Sequence, residues 1–162
     1  VRSRGLGDVY KRQDPHCGAF AVIRLCTYFL AYFCVAFCIR FSPRVGLCWT
    51  LALVLERGLS GLAVAAFPMA KNTGLAHTFA TAADRESVQK ILIVLSVLLA
   101  AALIALGGGA LVAAALLVLW RYHHVAVREF GGITGDLAGW FLQKAEFWML
   151  AALAASQWGG IL

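Results

Sequence analysis

ILIVLSVLLAAALIALGGGALVAAALLVLW, residues 91–120, runs without a single charged side chain. A hydrocarbon core about 30 Å thick is crossed by about 20 apolar residues of helix, so this run is too long for one untilted span. Gly107, Gly108 and Gly109 divide it. We read two spans, 88–106 and 110–127, with the glycines as a tight turn. On the N-terminal side, residues 18–41 form another apolar run broken only by Arg24 and Arg40, and residues 45–67 a second with Glu56 and Arg57 in its middle. On the C-terminal side, residues 137–158 make the last. The runs are continuous instead of alternating, which disfavours a β-barrel. The expected fold is all-α: a polytopic integral membrane protein of about five transmembrane helices, read as a truncated helical bundle.

Composition agrees. The 162 residues are 62% hydrophobic and 14% charged, against about 25% charged in soluble domains, and the mean hydropathy is +0.81. A water-soluble chain of this size could not hide so much apolar surface in one core. These values exclude a secreted disulfide scaffold, a disordered tail and a nucleic-acid module, despite a net charge of +6. Residues 1–13, VRSRGLGDVYKRQ, differ from the rest of the chain: Arg2, Arg4, Lys11 and Arg12 against Asp8 contribute half of that charge. The string resembles a translated sequencing adapter, and we treat 1–13 as a non-native scar on a chain whose natural beginning lies upstream. Residues 14–162 are then the C-terminal part of one membrane domain.

Five crossings decide which loops share a face. Segments 14–17, 68–90 and 121–136 fall on one side; 40–44, the glycine turn and the C-terminus fall on the other. The first side carries Lys71, Arg85, Lys90, Arg121 and Arg128, the second only Arg40 and Arg44. The positive-inside rule places the richer side in the cytoplasm, so the expected location is a bacterial inner membrane with the polar loops cytoplasmic. The five cysteines form no CxxC pair, and in a reducing compartment they read as packing residues. His123 and His124 read as interfacial polarity.

Three polar clusters carry chemical information. Glu56, Arg57 and Ser60 lie near one helical face at mid-span, with Gly58 and Gly61 allowing close approach. Ionisable groups at that depth mark a substrate path or a neutralising pair that holds helices together. The second cluster, FPMAKNTGLAHTF at 67–79, joins a Pro68 membrane exit to Lys71, Gly74 and His77. It reads as a phosphate-binding loop or an ordinary interfacial loop. The third is REFGGITGDLAG at 128–139. Gly131, Gly132 and Gly135 around Thr134 free backbone amides at the start of a helix whose N-terminus can hold an anion. Asp136 there is either a helix N-cap or a ligand. Glu146 adds a second carboxylate near the same helical side, and two acids at a membrane face suggest Mg²⁺ and phosphate.

RGLSGLAVAAFPMAKNTGLAHTF at 57–79 and FGGITGDLAGWFLQKAE at 130–146 closely resemble the cobalamin synthase, or adenosylcobinamide-GDP ribazoletransferase, family, and DPHCGAFAVI at 14–23 is similar to the start of that family's central region. The matches keep their order across 14–162. The resemblance implies a transferase in which α-ribazole, or its 5′-phosphate, attacks the pyrophosphate of adenosylcobinamide-GDP and GMP leaves, closing the lower nucleotide loop of cobalamin. It implies Mg²⁺, bound mainly by an Asp-rich motif of the family's earlier part, with Asp136 a further metal or ribose partner. The fragment alone is then expected to be inactive. Lys71 and Arg57 are the expected phosphate contacts and the backbone of 131–135 an anion cradle. Ser60, Gly74, His77, Gly131, Gly132, Thr134, Gly135 and Glu146 are expected to bind substrate. The partners implied are the two substrates and membrane lipid, with no nucleic acid and with oligomerisation open. Two other classes share the pattern. A transporter would carry an internal repeat, which is not found, and a CDP-alcohol phosphotransferase an Asp motif that this chain lacks.

Overall fold

The computed structural model describes residues 18–70 and 85–162. They form five helices: α1 (Ala19–Phe37), α2 (Pro43–Ala66), α3 (Arg85–Ala105), α4 (Gly109–Phe130) and α5 (Gly135–Trp158). Each expected span is a helix, with ends within a few residues of the reading from hydropathy. Helices α1 to α4 are long and apolar enough to cross a membrane. Helix α5 has the length but carries Asp136, Gln143, Lys144 and Glu146 in its first half.

The chain divides into two units, one ending at Cys34 and the other running from Val35 to Leu162. In the first, α1 presents exposed Phe20, Ile23, Phe29 and Leu30, and the Tyr28 ring meets Phe29 and Tyr32.

In the second unit the helices bury one stripe each. On α2 the buried positions Val45, Cys48, Ala52, Leu55, Leu59 and Ala63 recur at steps of three and four, as do Leu111, Ala115, Val118, Tyr122 and Ala126 on α4 and Phe141, Ala145, Met149 and Leu153 on α5. That period aligns one face of each helix. The opposite faces keep Ile91, Val94, Leu98, Leu117 and Trp120 exposed. So many exposed large apolar side chains call for lipid as the surrounding medium. Small residues allow close crossing: a Cβ on Gly58 would lie 3.2 Å from Ser96 Oγ on α3, and one on Gly61 3.3 Å from Leu92.

Each boundary has a local cause. Ser42 caps α2, its hydroxyl accepting from the Val45 amide, with Pro43 in the first turn where a missing N–H is harmless. Helix α2 ends where Phe67 turns extended (ψ 155°) ahead of Pro68, which disfavours helix in its predecessor. Between α3 and α4, Gly107 takes φ 89°; a side chain there would also press on Arg44 Nη2 at 3.1 Å and the Ile161 carbonyl at 3.3 Å. At this end Arg44 Nε donates to the Leu106 carbonyl (2.9 Å). The Gln157 side chain also holds both backbone groups of Arg40. Segments 40–44, 106–108 and 157–162 thus share one end of the bundle, as the five-crossing topology requires.

The opposite end is tied by backbone. Ile133 N–H donates to Pro68 O (2.8 Å) and Ala70 N–H to Ile133 O (3.0 Å), an isolated parallel bridge between Met69 and Ile133. The Arg85 and Gln89 side chains both donate to the Ala65 carbonyl, an acceptor left over at the end of α2.

Candidate functional site

Consecutive residues on a helix point about 100° apart, and Glu56 and Arg57 separate accordingly. Glu56 turns inward and is 0% exposed, while Arg57 turns outward with its side chain 60% exposed; Arg57 Nη2 lies 3.5 Å from Glu56 Oε1. Among the described residues neither Glu56 oxygen accepts a hydrogen bond. Its carboxylate feels the charge of both Arg57 and Glu146, so α2 and α5 bring two acids and one guanidinium near each other, with Glu56 inside the bundle and Arg57 at its surface. An ionisable group so poorly partnered is costly to bury. Such groups mark function more often than architecture.

The start of α5 is set by the segment before it. Gly131 closes α4 in the left-handed region (φ 69°), and Gly132 has φ 150°. A Cβ on Gly132 would fall 2.5–2.6 Å from Ala70 N, Met69 C and Pro68 O. Only glycine permits that approach, and it creates the Met69–Ile133 bridge. The bridge holds Thr134 extended (φ −130°, ψ 164°), and the Thr134 hydroxyl accepts from the Leu137 amide as the N-cap of α5. The expectation that Asp136 could be the cap is therefore corrected: Asp136 lies within the first turn. There a carboxylate complements the helix dipole while its oxygens stay available.

Arg57 from α2 and Gly135, Asp136, Gly139, Gln143 and Glu146 from α5 line one cavity of about 580 Å³. Positions 136, 139, 143 and 146 are spaced by three and four, one stripe of a helix. The volume falls within the usual range of small-molecule sites. One wall has a guanidinium able to bind phosphate in a forked geometry. The rim is the positive end of the α5 dipole.

The structure thus brings together four of the residues singled out from sequence: Arg57, Gly135, Asp136 and Glu146. Ser60, Gly131, Gly132 and Thr134 are not among the lining residues. The last three are engaged in the fold, and the amides of Gly132 and Ile133 donate to Ala126 O and Pro68 O. The expected cradle at 131–135 accordingly narrows to the first turn of α5. Lys71, Gly74 and His77 lie outside the described residues. Gly139 and Gln143, which belong to the same polar stretch of the sequence as Asp136 but were given no role there, join the four in the lining.

The donor set can be tested against Mg²⁺. Asp136 and Glu146 stand ten residues apart on α5, about 15 Å along the axis, whereas ligands to one Mg²⁺ lie at about 2.1 Å from it. One ion cannot join both. Among the described residues there is also no group of three or more His, Cys, Asp or Glu able to hold a metal. The described residues do not fit Mg²⁺ by themselves.

No solved structure matches the chain. Over 145 residues it is 37% identical to the adenosylcobinamide-GDP ribazoletransferase of Lachnoclostridium phytofermentans, covering 88% of this chain and 54% of that protein. The chain therefore spans about half the length of the curated relative it matches. The profile of the cobalamin-5-phosphate synthase family matches residues 12–154, the part that holds α1 to α4, all but the last turn of α5, the glycine-bound bridge and the Arg57 cavity, and on that match the chain belongs to the cobalamin-5-phosphate synthase family.

Proposed function

We propose that the protein to which this chain belongs joins α-ribazole, or its 5′-phosphate, to adenosylcobinamide-GDP and releases GMP, the last assembly step of cobalamin. In this reaction a ribose hydroxyl that is free in both α-ribazole and its 5′-phosphate gives up its proton and forms a new bond to the cobinamide-linked phosphorus. The bond from that phosphorus to the bridging oxygen breaks, and GMP carries the oxygen away. Phosphoryl transfer asks a protein mainly for positioning and charge neutralisation. The observation that carries the reading is the cavity where Arg57 faces the first turn of α5. Arg57 contacts equatorial phosphate oxygens, the first turn of α5 supports negative charge, and Asp136 takes a ribose hydroxyl or supplies one oxygen to Mg²⁺. The remaining Mg²⁺ ligands in this reading come from outside the described residues, and Lys71 is a second phosphate contact.

The same reading places the protein in a bacterial inner membrane with the end that holds residues 66–70, 85–90 and 121–136 in the cytoplasm. The basic residues gather at that end, where soluble substrates arrive. Single cysteines at Glu129 and Ile161, both exposed and at opposite ends, test it in a chain otherwise free of cysteine. Glu129→Cys should react with reagent admitted to the cytoplasm and Ile161→Cys with reagent outside. Labelling from one shared face would overturn the orientation.

Complementation tests the activity. A strain lacking its own synthase, supplied with cobinamide and the lower-ligand base, should grow where cobalamin is required when given the full-length protein, and not on residues 14–162 alone. Failure of a membrane-inserted full-length protein would refute the reaction. Growth on residues 14–162 would move the whole chemistry into this part.

A further inference from the structure

A second cavity, of about 530 Å³, lies between α4 and α5 and has a different character. Its walls are apolar, with Leu117 and Val118 on α4 and Trp148 on α5, and two cations, Arg121 and Lys144, sit among them. The two are level. Arg121 stands nine residues before the end of α4 and Lys144 nine residues after the start of α5. Each is therefore about 14 Å along its helix from the loop that joins them. Trp148 and Val118 lie about a turn further from that loop, so the apolar trough extends from the cations toward the middle of the bundle.

The level of the cations coincides with the polar boundary of α4. The residues before Arg121 are apolar, and RYHHVAVREF comes after them. Trp120, beside Arg121, is 68% exposed, the position of an aromatic residue in a membrane-interface belt. Neither Arg121 nor Lys144 has an ion pair or hydrogen bond among the described residues. Two unneutralised cations at the edge of the hydrocarbon are unfavourable unless an anion joins them. The order of features along the groove, charge at the interface and apolar trough below it, is the order of an anionic amphiphile.

We propose that this groove binds one anionic phospholipid, its headgroup phosphate between Arg121 and Lys144 and an acyl chain along Leu117, Val118 and Trp148. Basic pockets between membrane helices hold anionic headgroups by this combination of charge and depth. The proposal is independent of the reaction assigned to the Arg57 cavity.

Tryptophan quenching by lipids with brominated acyl chains tests it. In the chain purified in a mild detergent, with Trp49, Trp120 and Trp158 replaced by Phe, the remaining emission comes from Trp140 and Trp148, both at the groove. Brominated phosphatidylglycerol should quench at a mole fraction about tenfold lower than brominated phosphatidylcholine. The double variant Arg121→Gln, Lys144→Gln should bring the two curves within about twofold, while Arg121→Lys, Lys144→Arg should keep the preference. That charge-retaining pair separates loss of the site from misfolding. Coincident curves in the parent chain would overturn the proposal, as would a preference that survives the Gln double variant. Absence of quenching by either lipid would also overturn it, because the groove would then be filled by protein.

Discussion

One end of the bundle and the Arg57 cavity treat their polar groups in opposite ways. At the end where α3 turns into α4, Arg44 donates to the Leu106 carbonyl and the Gln157 amide closes on both backbone groups of Arg40. These contacts complete groups left over at chain turns. Toward the other end, Arg57 stands exposed over a cavity, and Glu56 is buried with no hydrogen bond among the described residues. Charge at the first end is architecture, as is Arg85 on the Ala65 carbonyl; charge at the cavity is held ready for something else. The sequence set Arg57 apart as a charge at mid-span and left Arg40 and Arg44 in a connecting segment, without showing what any of them touches. Only the partners separate them.

The largest effect should come from the glycine that builds the second end. Gly132→Ala places a Cβ against three backbone atoms at 2.5–2.6 Å with φ at 150°. It should destabilise by about 3 kcal/mol or more and break the Met69–Ile133 bridge. Gly131→Ala, left-handed but with nothing within 4 Å, should cost about 1 kcal/mol. Thermal unfolding in detergent compares them, and equal costs would mean that the bridge contributes nothing.

Glu56 should move in the other direction. Glu56→Met removes a buried carboxylate that has no hydrogen-bond partner among the described residues, and should raise stability by about 1 to 2 kcal/mol in the same assay. Turnover of the full-length enzyme should fall, because Arg57 loses the carboxylate beside it, a trade common at functional sites. A loss of stability would instead make the Glu56–Arg57 pair architecture, like the first end.

Smaller effects of about 1 kcal/mol are expected from Arg44→Met and from Thr134→Ala, by loss of a hydrogen bond and of a helix cap. Asp136→Asn should leave stability nearly unchanged, since Thr134 and not Asp136 is the cap. If Asp136→Asn destabilises as much as Thr134→Ala, the assignment of the cap is wrong.

How much of the molecule was legible in the sequence depends on the range of the interactions. The five helices were, because apolar runs of the right length are a local property, and Gly107 and Pro68 punctuate them by their own backbone chemistry. The cap was read wrongly: only Asp136 was considered for it, whereas Thr134, two residues earlier, is the residue held extended, next to an Ile133 that is hydrogen-bonded to Pro68 from another part of the chain. The cavity was half legible. Asp136 and Glu146 stood out as acids, but the approach of Arg57 from α2 is tertiary. The rise of about 15 Å between the two acids was available from helix geometry and removes the shared Mg²⁺ that their proximity in sequence suggested. Glu56 was visible as a charge in a span, but its lack of a hydrogen-bond partner among the described residues, the feature that sets it apart, is a property of the packed bundle.

The most direct test of the central claim, that the Arg57 cavity is where phosphoryl transfer occurs, is kcat/KM for GMP release by the full-length enzyme carrying Arg57→Met, set beside Arg44→Met at the opposite end. Both changes remove one guanidinium and keep most of the apolar stem. The account predicts that Arg57→Met inserts and purifies normally yet loses at least about tenfold in kcat/KM, or about 1.4 kcal/mol of transition-state stabilisation, while Arg44→Met turns over within about twofold of the parent. Near-normal turnover in Arg57→Met would contradict it and place the reaction outside this cavity.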